Sequence, residues 1–113
     1  MPEIIKTVAI QFIKGTDEKD NPEIRLYRNI DGKKGQVIYK FYNPSSISLD
    51  NINLIKKMYL IDEEGELSTR NIDLSFSEKY VKEVTSIYNW NSEKEFERFM
   101  RFAQRYANSF HSN

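Results

Sequence analysis

One segment, Asn91 to Tyr106, limits what this chain can fold into more than any other, because it reads as a helix with a face too apolar for water. Ser92 is a good N-cap, and Glu95 three residues on completes a capping box. Glu93, Glu95 and Glu97 stand near the positive end of the helix dipole, with Arg101 and Arg105 near the negative end. At about 100° per residue, Phe96, Phe99, Met100, Ala103, Tyr106 and Ala107 share one face. Lys94, Arg98, Arg101 and Arg105 form a column opposite, and Phe102 falls at the seam. An aromatic underside of this kind needs a sheet to lie on.

The rest of the chain supplies strands. Thr7 to Ile13 alternates, with Val8, Ile10 and Phe12 on one face, and Thr16 to Pro22 reads as a polar loop. Glu23 to Asn29 alternates again, setting Ile24 and Leu26 against Arg25 and Tyr27. Asp31-Gly32 followed by Lys33-Lys34-Gly35 is hairpin chemistry, and the return, Gln36 to Tyr42, points Val37, Tyr39 and Phe41 one way. Ile47 to Leu54 is ambiguous, with a helical turn begun by Ser48 or Asp50 as one reading. Ile55 to Ile61 reads as a strand, Asp62 to Glu66 as its turn, and Leu67 to Phe76 as the return. Tyr80 to Tyr88 is the last strand. About six short, hairpin-linked strands before a helix predict the α+β class. The expectation is a mostly antiparallel sheet with the C-terminal amphipathic helix packed on it.

The whole of 1–113 reads as a single domain, with a core over about 7–107 and a flexible tail over 108–113. Chemistry is hard to place on it. There is no cysteine, and the only histidine, His111, is a tail residue, so zinc or copper sites and thiol or histidine catalysis lack their groups. The acidic run Asp62, Glu63, Glu64 and Glu66 lacks the ligand spacing of a calcium loop and reads as a solvated hairpin tip. No cofactor, metal site or catalytic residue is expected. The start of the chain lacks the pattern of a signal peptide, and no apolar run is long enough to span a bilayer.

Binding is the better prospect. Candidate partner-binding residues fall in two basic groups, Arg25, Arg28, Lys33 and Lys34 around the first hairpin, and Arg98, Arg101 and Arg105 on the helix back. Both groups have plainer readings, as charge protecting an edge strand and as a solvated helix face. An RNA-binding β-domain is the alternative, with Tyr27, Tyr39 or Tyr59 as stacking platforms beside Arg25 and Lys40. The 17 basic and 17 acidic residues balance, so nucleic acid is not the expected partner.

Several strings resemble a known family. They are Ile10-Gln11-Phe12 with Lys14-Gly15, then Pro22-Glu23-Ile24-Arg25-Leu26 with Arg28, and Met58 to Glu66 (Met-Tyr-Leu-Ile-Asp-Glu-Glu-Gly-Glu) followed by Thr69. The last is Asn91-Ser92 with Glu97 to Phe102 and Arg105-Tyr106. In this order they resemble the thirteen-kilodalton photosystem II assembly protein family, also called the reaction-centre W protein family. Phe96 stands where tryptophan is expected and Ala103 where methionine is expected, both on the face predicted to be buried. The resemblance implies a long antiparallel sheet with a C-terminal helix, and a cofactor-free, non-catalytic accessory protein. It implies a peripheral protein on the stromal or cytoplasmic face of the thylakoid membrane. Its partners there would be photosystem II core antenna and reaction-centre subunits, met transiently in assembly intermediates, together with the membrane surface. An open sheet edge would also permit a homodimer.

Overall fold

A computed structural model describes residues 8–110. Thr7, where the first strand was expected to begin, and His111 lie outside the described residues. Two antiparallel sheets of four strands and one helix make up the fold. The first sheet has the order β2-β1-β5-β6, with β1 at Ala9–Ile13, β2 at Thr16–Glu18, β5 at Met58–Asp62 and β6 at Gly65–Thr69. The second has the order β3-β4-β8-β7, with β3 at Glu23–Arg28, β4 at Gly35–Tyr42, β7 at Ile72–Phe76 and β8 at Val81–Trp90. Helix α1 runs Glu93–Ser109. The α+β class and the C-terminal helix are as the sequence implies.

Two strand assignments differ from expectation. Thr16 to Glu18, expected as loop, pairs with β1, and Glu18 at its end is buried. Its carboxylate accepts hydrogen bonds from the Ser46 hydroxyl at 2.7 Å, the Ser46 N–H at 3.0 Å and the Asp20 N–H at 2.9 Å. Leu67 to Phe76, expected as one strand, is two, broken at Arg70-Asn71 where the chain leaves one sheet for the other. The crossing is fastened to β8: the Thr69 hydroxyl donates to the Ile87 carbonyl at 2.6 Å, and the Ile87 N–H donates to the Asn71 carbonyl at 3.0 Å. The ambiguous stretch before β5 holds a 3-10 turn at Ile52–Leu54.

Alternation predicts the core well. Ile10 and Phe12, Val37, Tyr39 and Phe41, and Met58 and Leu60 are all buried, and with Val81, Val84, Trp90 and the helix they form one apolar cluster. Phe12 and Phe41 meet edge to face across the two sheets, with centroids 5.1 Å apart. On the helix, Ser92 Oγ accepts from the Glu95 N–H at 3.1 Å, so the expected N-cap forms, while Glu95 Oε1 takes its return bond from the Asn91 N–H at 3.3 Å instead of from the Ser92 N–H.

The helix is rolled relative to the expected face. Phe99, Phe102 and Tyr106 are its buried residues, whereas Met100 and Ala107 are exposed. Phe102, expected at the seam, is at the centre of the contact. With this roll the arginine column comes down onto the tip of the β5–β6 hairpin.

Candidate functional site

Two surfaces compete for attention, and they are built differently. The first is the contact between helix and hairpin tip. The two-residue turn between β5 and β6 is fixed by Asp62 Oδ1, which accepts from the Glu64 N–H at 3.0 Å. The same carboxylate takes Arg98 in a two-pronged pair, Nη2 to Oδ1 at 2.7 Å and Nη1 to Oδ2 at 2.9 Å, and Arg105 Nη1 to Oδ2 at 2.9 Å. Glu64 takes Arg101 in a second two-pronged pair at 2.8 and 2.9 Å, and Arg105 Nη1 at 2.6 Å. Arginines three, four and seven residues apart on one helix therefore clamp a carboxylate row on one turn.

Glu63, Glu64 and Glu66 are exposed as expected, whereas the Asp62 side chain has no exposure, which corrects the solvated-tip reading at that residue. Burial pushes its carboxyl up, but hydrogen bonds from Arg98 and Arg105 overcome this and hold it below the usual range. Arg101 and then Arg105 hold Glu64 down to about 2. A signal for this contact was present in the sequence, since a basic column and an acidic turn of matching length are complementary. Only the chain's path could bring them together.

The second surface is the edge of the second sheet. β3 is the longest of the four edge strands, and all six of its residues are exposed. The Asn29 N–H donates to the Lys34 carbonyl at 2.8 Å, and from that bond the pairing of β3 with β4 alternates. Tyr27, Arg25 and Glu23 then spend their backbone groups on β4, while those of Ile24, Leu26 and Arg28 point outward. The Ile24 and Leu26 side chains line a groove of about 310 Å³ between β3 and the helix, shared with Met100, Ala103, Ala107 and Phe110. An open ladder thus runs beside an apolar trough.

The expected basic residues of the hairpin are disposed unequally. Arg25, on the outer face, pairs with Glu23 at 3.3 Å. Arg28 folds back onto the molecule, its guanidinium 3.7 Å from the centre of the Phe96 ring and its Nη2 donating to the Gly32 carbonyl at 2.6 Å. The departure at Phe96 therefore bears on how firmly Arg28 is held, since tryptophan is the stronger platform for a cation. The Lys33 and Lys34 side chains have no ion pair among the described residues. Between Arg28 and these lysines stands Ile30, wholly exposed at the hairpin tip. Sequence reasoning passed over Ile30 and the apolar groove, and placed Met100 on the helix face expected to be buried.

Of the tyrosines offered as stacking platforms, Tyr39 is buried, Tyr59 lies under Lys14 in the other sheet, and Tyr27 alone stands open beside Arg25. Among the described residues no group of three or more His, Cys, Asp or Glu side chains is arranged to hold a metal ion.

Comparison with known proteins adds a lineage to this geometry. Residues 10–111 match the family model described as Psb28 protein. The chain is 65% identical over 113 residues to the photosystem II reaction center Psb28 protein of Prochlorococcus marinus (strain NATL2A), with all of both chains covered. It is 62% identical over the same length to the protein of that name from strain NATL1A. It is also 44% identical over 101 residues to the one from Synechococcus sp. (strain CC9605), covering 89% of this chain and 80% of that protein.

Proposed function

Because the chain belongs to the Psb28 protein family, we propose that it is a non-catalytic accessory factor of photosystem II. In this reading it binds transiently to assembly intermediates that contain the core antenna. It does so as a peripheral protein on the cytoplasmic or stromal face of the thylakoid membrane. Among the described residues no helix is long and apolar enough to cross a membrane, which fits a peripheral placement.

The observation that carries the reading is the open edge of β3. An extended segment of a partner subunit adds there as a strand, taking the outward backbone groups of Ile24, Leu26 and Arg28. Its alternate side chains enter the trough between Ile24, Leu26 and Met100. Backbone hydrogen bonds supply affinity and the trough supplies selection. The same edge would serve a homodimer in the free protein, so that release of the dimer exposes the docking strand.

Charge sets the approach. Arg25, Lys33 and Lys34 lie around this edge and steer it toward acidic loops. The helix arginines enter second. Arg98 and Arg105 keep little exposure, and Arg101, half exposed, gives the paired cluster a basic rim.

Hydrogen exchange on the captured complex tests the edge. Slowed exchange at Ile24, Leu26 and Arg28 is the expected result. Slowing confined to the β5–β6 turn or to β7, with β3 unchanged, would remove strand addition at this edge.

A further inference from the structure

We propose that the tip of the β3–β4 hairpin is a membrane contact, with Ile30 entering the headgroup region of an anionic bilayer and Lys33 and Lys34 as its cationic collar. The inference rests on the peripheral placement proposed above and names the element that makes the contact. Ile30 has a relative exposure of 107%, the highest among the exposed large apolar residues. Nothing in the turn requires it. The turn is closed by the Asn29 N–H on the Lys34 carbonyl and the Gly32 N–H on the Asn29 carbonyl, with Gly32 at φ +75°. Asp31 Oδ1 accepts from the Lys33 N–H at 2.9 Å. Every structural task is done by Asn29, Asp31 and Gly32, and a β-branched aliphatic is a poor choice for a solvated turn.

The neighbouring charges favour a lipid surface over a protein pocket. Asp31 turns its carboxylate toward its own loop. Arg28 is drawn back over Phe96, while the side chains of Lys33 and Lys34 carry no ion pair among the described residues. A protein contact of any strength is built around a packed apolar patch. Here the cavity at the tip is lined by Arg28, Asn29, Ile30 and Asp31, among which Ile30 is the single apolar side chain. One aliphatic wedge with unpaired lysines beside it suits a fluid, negatively charged interface, where each lysine near the surface adds to attraction and the wedge adds a salt-insensitive part. Such a contact is weak by itself and is meant to orient a protein that is held mainly by its partner.

The full-length chain is sedimented with vesicles of equal parts phosphatidylglycerol and phosphatidylcholine, and with vesicles of phosphatidylcholine alone. The wild type is expected to sediment with the anionic vesicles and hardly at all with the neutral ones. Lys33→Gln with Lys34→Gln should weaken binding by about twenty-five-fold, at about fivefold per lysine. Ile30→Ser should remove the part of the binding that persists at high salt. Failure of the wild type to sediment with anionic vesicles would overturn the proposal, as would Ile30→Ser sedimenting like wild type. Capture of partner complexes in detergent, where no bilayer remains, separates this from the proposed function. If Ile30→Ser loses that capture, the tip belongs to a protein pocket and the lipid proposal fails. If capture persists while vesicle binding is absent, only the membrane contact falls.

Discussion

Asp62 is the residue on which the helix end of the molecule turns. Its carboxylate is buried, binds two guanidinium groups and still fixes its own turn, so removing it leaves Arg98 with only a 3.7 Å contact to Glu64 and Arg105 with its bond to Glu64. Breaking a buried pair costs about 3–5 kcal/mol. The partial exposure of both arginines reduces this, and Asp62→Ala is expected to lower unfolding stability by about 2–4 kcal/mol in urea titration. The pH dependence has a definite sign. Folding depresses both the Asp62 and the Glu64 carboxyl, so their contribution is full above the range where the unfolded chain's carboxyls titrate. It is lost as pH falls, and for Glu64 the loss is complete only below about 2. Thermal melts taken downward from neutral pH should therefore fall less steeply for Glu64→Gln than for the wild type. Gly35 matters for a different reason. A Cβ there would run into the Tyr27 carbonyl and come within 2.6 Å of Trp90 Cζ2, so Gly35→Ala is expected to cost about 1–3 kcal/mol. The cap residues, the hairpin glycine and the alternating core residues were legible because each obeys a local rule. The partners of Asp62 were not, because they lie 36 and 43 positions away.

Among the elements, the helix shows how far periodicity reaches. A wheel assigns faces by hydrophobicity alone and puts Phe102 at the margin, but the folded helix sets Phe102 in the core and its arginines against the β5–β6 turn. Phe102 consequently sits between Phe99 and Tyr106, with ring centroids at 6.5 and 5.6 Å. Phe102→Ala should cost about 3–5 kcal/mol, near the upper range for a buried ring. Met100→Ala, on the exposed flank, should leave stability nearly unchanged while weakening any segment that enters the trough. Calorimetry on the two variants separates these roles. Strand β3 was legible as an amphipathic strand, with Ile24 and Leu26 opposed to Arg25 and Tyr27. Its position at an edge was not, since alternation reports which faces differ and is silent about how many neighbours a strand has. The helix arginines met the same difficulty. A basic column looks alike in sequence whether it faces water or a row of carboxylates.

At the scale of the molecule, eight strands divide between two sheets because the chain changes sheet at Arg70-Asn71, where a threonine hydroxyl and one backbone bond fasten it to β8. The sequence there is polar but carries neither glycine nor proline, and nothing in it announces a change of sheet. The consequence is an asymmetric particle. The helix and the β5–β6 turn close one side with ion pairs, and β3 leaves the other with an unpaired ladder beside an apolar trough. The proposed docking depends on that asymmetry. Proline at Leu26 removes one outward N–H without touching the ladder to β4, and is the sparest way to damage the edge. Affinity capture from gently solubilised thylakoids, with wild-type and Leu26→Pro baits of matched stability, tests the account most directly. The wild type should return intermediates that contain the core antenna and lack the oxygen-evolving subunits, and Leu26→Pro should return them at a small fraction of that yield. Equal yields from the two baits would contradict docking through β3. A wild-type bait that returns no photosystem II subunit, beside a working control, would contradict the proposed function itself.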